Sequence, residues 1–158
     1  MTVEKRNQIL SIVLGVIILG LFYWLYDSIV GPYQKVLEQQ AMTERVRHNM
    51  ENVRDALQQY KQTKGDFPQT EGGLDSLVSF LKSDSLMIAN GDSLFKPMAP
   101  DVYNPDSLIY SPRPPHKKFQ YALNDSSRPP LYLLEDPDSD DKIGSLEKTT
   151  LLNAATWE

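Results

Sequence analysis

Cysteine is absent from the 158 residues, which excludes disulfides, thiolate metal sites and thiol nucleophiles. Histidine is scarce. His48 and His116 lie far apart in the chain, with no metal-ligand or acid–base pattern around either, and both read as surface side chains. No Gly-rich phosphate loop, nucleophile elbow or His-Glu-x-x-His motif occurs, so neither catalysis nor a small-molecule substrate is expected. An excess of positive charge is lacking too. The formal net charge is −5, and removing Glu4, Lys5 and Arg6 leaves the remainder more acidic still. Such a surface repels phosphate backbones, so no nucleic-acid partner is expected. Arg113, His116, Lys117 and Lys118 form one small basic loop, with fewer charges than a lipid-binding patch ordinarily needs.

Charge is missing altogether from Asn7 to Tyr26. At about 1.5 Å rise per residue this run is about 30 Å long, the thickness of a bilayer's hydrocarbon core. Phe22, Tyr23, Trp24 and Tyr26 gather at its far end, where amphipathic rings prefer the headgroup level. The stretch after it, Asp27-Ser28-Ile29-Val30-Gly31-Pro32, has no small-x-small cleavage site, which argues against a cleaved secretory signal. Lys5 and Arg6 precede the run and the next basic residue is Lys35. The positive-inside bias therefore predicts a cytoplasmic amino terminus (residues 1–7), a transmembrane helix (8–30) and an extracytoplasmic domain (31–158).

Gly31-Pro32 is expected to interrupt or kink the helix. Glycine and proline are then absent from Tyr33 to Lys64, and Val46, Met50, Val53, Leu57 and Tyr60 recur at spacings of four and three. That periodicity marks one apolar helical face, extended upstream by Val36, Leu37 and Met42. A stalk or coiled coil would show a sustained Leu/Ile heptad, so a helix packed on its own sheet is favoured. Arg45, Arg47 and Arg54, with Glu44, Glu51 and Asp55, read as its solvated face. Gly65 is placed to cap this helix, and Leu74, Leu77, Val78 and Leu81 predict a short second helix ending near Ser83. Most of the prolines fall between Pro97 and Pro137, around three β-type runs: Leu108–Tyr110, Phe119–Leu123 and Leu131–Leu134. The expected class is α+β: a transmembrane helix leading into a long amphipathic helix packed on a small antiparallel sheet.

Two stretches carry a resemblance. Val53-Arg54-Asp55-Ala56-Leu57-Gln58-Gln59-Tyr60, then Lys64-Gly65-Asp66-Phe67-Pro68-Gln69-Thr70-Glu71-Gly72-Gly73-Leu74-Asp75-Ser76-Leu77-Val78, are similar to the major pseudopilins of type II secretion systems. That family, related to type IV pilins, ends its long helix with Ala-Leu-x-x-Tyr, turns through Gly-x-Tyr-Pro and enters its second helix through Thr-Glu-x-Gly-Leu. The resemblance implies a pilin-like fold and a structural subunit of a bacterial envelope assembly. Its expected setting is the inner membrane with the domain in the periplasm, and its expected partners are the lipid bilayer and other membrane or envelope protein subunits. Prepilins also carry a Gly cleavage site and an apolar start with glutamate fifth. Here Lys5-Arg6 occupy the place of that start, which predicts that prepilin-peptidase processing does not occur. An accessory subunit of a larger membrane complex, reusing a pilin-like domain, is the alternative reading.

One acidic loop is the candidate site. Counting from Asp136, carboxylates fall at positions 1, 3, 5 and 12: Asp136, Asp138, Asp140 and Glu147, with Ile143 at position 8. This is the spacing of an EF-hand loop, whose hard oxygens satisfy Ca²⁺. Asp141 stands where the EF-hand has its turn glycine, so a looser Ca²⁺ loop is the closer description. The resemblance points the same way, since major pseudopilins bind Ca²⁺ in an acidic loop near the carboxyl end. A solvated acidic turn is the other reading of the same residues.

Overall fold

The computed structural model describes residues 3–157, which divide into two compact units at the Ala41–Met42 junction. One helix, α1 (Val3–Lys64), contributes to both. Gly31-Pro32 lies inside α1 and does not interrupt it. Proline removes a single i→i−4 hydrogen bond, at a cost of about 3 kcal/mol, and the turns on either side stay bonded.

The first unit, up to Ala41, consists of helix. Every large apolar side chain from Ile9 to Tyr26 is exposed, and among the described residues α1 alone is long and apolar enough to cross a membrane. Val36 and Leu37, expected to extend the packed stripe, are exposed here as well, so the buried stripe is shorter than the periodicity suggests.

In the second unit Val46, Met50, Val53, Ala56 and Leu57 have no exposed surface. Tyr60 closes the stripe half-buried, its ring edge-on to Phe80 with centroids 5.3 Å apart. Gly65 then takes φ +93°, a left-handed conformation open to glycine, and its N–H donates to Lys61 O at 2.8 Å to cap the helix. Phe67 turns inward with its ring 4.9 Å from that of Tyr132, and the Tyr121 hydroxyl donates to Pro68 O at 2.8 Å. Helix α2 (Gly73–Ser83) follows as expected, burying Leu74, Leu77, Phe80 and Leu81.

Helix α3 (Ser85–Leu94) has no clear signal in the sequence. Leu86 and Ile88 are exposed, and Gly91 interrupts the run because a Cβ there would come within 2.5 Å of the Tyr103 ring. The Asp84 carboxylate starts it, accepting from the N–H groups of Leu86 (2.9 Å) and Met87 (3.2 Å). A one-turn helix, α4 (Pro105–Leu108), begins where Asn104 Oδ1 accepts from Asp106 N at 2.9 Å. It takes Leu108 out of the expected strand at Leu108–Tyr110, leaving Tyr110 with a single bridge to Lys118. The asparagine cap and Pro105 favour helix locally, and Pro112, Pro114 and Pro115 offer no N–H to a ladder.

Strands β1 (Gln120–Asn124), β2 (Leu131–Glu135) and β3 (Lys142–Gly144) form an antiparallel sheet in that order. Leu123 faces Tyr132, and Leu134 lies between Tyr121 and Ile143. Tyr132, Leu134 and Ile143 join the stripe of α1 in one hydrophobic core. Gly144, at φ +88°, permits this register, since a Cβ there would approach Tyr132 O to 2.3 Å.

Leu57→Ala should lower stability by roughly 2–5 kcal/mol. Thermal unfolding of the full chain in detergent measures this, and an unchanged transition would remove Leu57 from the core. A second expectation concerns alkaline pH. Burial, the largest cause, pushes the phenols of Tyr121 and Tyr132 well above their ordinary pKa of 10.0. The folded state therefore holds these protons more tightly than the unfolded chain. Their contribution is fully present below pH about 10 and declines as pH rises towards the folded value. Absorbance at the phenolate band should show some of the 8 tyrosines ionising only with unfolding; a single titration of all of them near their ordinary value would contradict this.

Candidate functional site

The hairpin connection between β2 and β3 holds the acidic loop. Asp136 N–H donates to Asp141 O at 3.1 Å, closing the loop at its neck, and Ser139 Oγ donates to Asp136 Oδ2 at 2.8 Å. The Asp136 side chain is 0% exposed and that of Asp141 11%. Carboxylates buried to that degree require hydrogen-bonded or charged partners, because desolvating an unpaired ion is costly.

Three cations provide them. Arg113 Nη1 donates to Asp136 Oδ2 at 3.3 Å and to the Asp138 carbonyl at 3.0 Å. Lys117 Nζ pairs with Asp138 Oδ1. From α1, Arg47 forms a two-pronged pair with Asp141, Nε to Oδ2 at 3.0 Å and Nη2 to Oδ1 at 2.9 Å. The same guanidinium lies 5.2 Å from the ring centre of Trp157, a cation–π distance. The hydrogen bonds Arg47 donates to Asp141 are the main cause that raises its pKa above the ordinary value.

These contacts revise two readings of the sequence. Arg47 is no purely solvated charge: it ties α1 to the carboxyl-terminal segment. The basic loop is likewise engaged, with Arg113 and Lys117 on the acidic loop and Lys118 on Asp75 at 2.5 Å. The arginine and lysine partners lie 94, 23 and 21 positions from their carboxylates, so no local pattern announces the pairing. The one available signal was numerical, a small cationic loop matching a small anionic one.

Of the four residues with EF-hand spacing, Asp136 and Asp138 come together here, whereas Asp140 and Glu147 are exposed. Among the described residues, no three Asp, Glu, His or Cys side chains gather where a metal ion would be held. Asp136 Oδ1 and Asp138 Oδ2 are buried without a hydrogen-bond partner. Both oxygens are free to face a cation, and Ca²⁺ takes six to eight oxygens in all.

The two histidines share a second feature, a cleft of about 380 Å³ lined by Asn49, Phe95, Tyr103 and Leu108. His48 Nε2 lies 2.7 Å from Lys96 O, and His116 Nδ1 lies 3.1 Å from Ser111 O. Each ring is thus tied to a backbone carbonyl, an orienting role that assigns no chemistry.

A long helix packed through its lower face on a three-stranded antiparallel sheet defines a pilin-like α+β protein. Comparison with known proteins narrows this: the family described as type II secretion system (T2SS), protein G, matches residues 35–122. The match covers more than half of the chain, and the chain belongs to that family. It includes the 53–78 segment that resembles the major pseudopilins and ends before the acidic loop. No curated protein and no solved structure matches.

Arg47→Met should cost about 1–3 kcal/mol, the range for a hydrogen bond to a charged group and its orphaned partner. The double variant Arg47→Met/Asp141→Asn should lose less than the two single losses added together, since removing either partner already breaks the pair. Strictly additive shifts in thermal unfolding would show that the two side chains act independently.

Proposed function

We propose that this chain is a non-enzymatic, membrane-anchored structural subunit of the type II secretion kind. In this reading residues 1–7 lie in the cytoplasm, residues 8–30 cross the inner membrane, and residues 31–158 form a periplasmic domain. The observation that carries it is the family match over residues 35–122, which begins within the same helix downstream of its uncharged run Asn7–Tyr26.

Side chains as apolar as Ile12, Leu14, Val16 and Leu19, all exposed along one helix, are stable only in lipid or against other apolar helices. The bilayer and neighbouring envelope subunits supply both. The proposed orientation follows from Lys5 and Arg6 ahead of the span.

Protease added to intact spheroplasts should digest the chain beyond Tyr33 and spare the span. Full protection would reverse the orientation. Gentle extraction from native membranes should bring down other type II secretion subunits, and isolation of the chain alone under conditions that preserve such assemblies would overturn the proposed role.

A further inference from the structure

We propose that Arg113, Lys117 and Arg47 serve as built-in counter-ions of the acidic loop, so that it closes without a divalent cation. Ca²⁺ held by Asp136, Asp138, Asp140 and Glu147 is the competing proposal, and the two differ in what the loop requires.

Charge balance is the first argument. Of the loop's four aspartates, Asp136, Asp138 and Asp141 each pair through one or both oxygens with a cation (Arg113, Lys117 and Arg47), Asp140 is exposed, and Asp136 Oδ1 and Asp138 Oδ2 stay without a hydrogen-bond partner. A divalent ion added beside three fixed positive groups is repelled, unless side chains are displaced that already hold buried carboxylates.

Geometry is the second. One guanidinium nitrogen of Arg113 draws a carboxylate oxygen of Asp136 and the backbone carbonyl of Asp138 onto a single positive centre. An EF-hand loop directs side-chain oxygens of positions 1, 3 and 5 and the backbone carbonyl of position 7 at its metal, so the Asp136 carboxylate is one of those donors and the Asp138 carbonyl is not. Arg113 thus holds one of the oxygens such an ion needs, together with a neighbouring carbonyl. A planar guanidinium suits this, since its several N–H groups donate in fixed directions without requiring a closed shell.

Position is the third. Asp140 and Glu147, which an ion would recruit, are exposed, and the loop lies beyond the residues matched by the family. The cations also give the arrangement a mechanical consequence. Arg113 and Lys117 clasp the β2–β3 connection to the 111–118 loop, while Arg47 clasps its last residue to α1 and packs on Trp157.

The test is thermal unfolding of the full-length chain in detergent, in EDTA and in millimolar Ca²⁺, with terbium luminescence as a direct probe of a lanthanide-accepting calcium site. The wild-type curves should coincide and terbium should find no site. Arg113→Gln should melt several degrees lower in both media. Should that variant not fold, Lys117→Gln carries the same comparison, because its partner Asp138 keeps some exposure. A wild-type transition several degrees higher in Ca²⁺ than in EDTA, or saturable terbium binding, would return the loop to the metal. Variants at both cations that melt like the wild type would also overturn the proposal.

Discussion

Val46, Met50, Val53 and Leu57 have no contact with solvent, and the elements after them are arranged to keep it so. A three-stranded sheet with strands of five, five and three residues needs its hydrophobic face covered to be stable. Tyr132, Leu134 and Ile143 gain their stability from the helical face they cover, while Leu74, Leu77 and Leu81 close the same core from α2. The Gly65 cap and the Phe67-Pro68 turn follow from this requirement: the chain must leave α1 at once and come back over it.

Once the apolar face is covered, the β2–β3 loop is tied down by charge. Arg47 leaves the buried stripe one residue after Val46 and reaches Asp141, 94 positions on. Arg113 and Lys117 reach the same loop from the proline-rich segment. Such pairs add little at an exposed surface, but here one carboxylate is fully buried and another nearly so, which makes the loss of a partner expensive. The acidic loop is thus as much a product of its surroundings as the sheet is.

The proposed role unites these features with the first unit. An apolar helix in lipid and a compact domain closed by its own charges suit a subunit that serves by being held in place and packed against neighbours. Nothing in that role calls for the paired acids, bases or nucleophiles of an enzyme, and the two histidines are held by backbone carbonyls.

The sequence by itself determined the helices whose signals are local. The uncharged run from Asn7 to Tyr26, the stripe from Val46 to Tyr60, the Gly65 cap and the short second helix could all be read from spacing, because each depends on neighbours within a few residues. Two strands were legible for the same reason. Tertiary structure decided the rest. It ended the buried stripe at Val46, turned Leu108 into the close of a helical turn, and placed α3 where Asp84 caps it and Tyr103 demands a glycine. Above all it decided what the acidic loop faces. Spacing along the chain gives Asp136, Asp138, Asp140 and Glu147 the positions of calcium ligands, and the fold brings cations to Asp136, Asp138 and Asp141. Three of those cations come from segments that only packing makes adjacent.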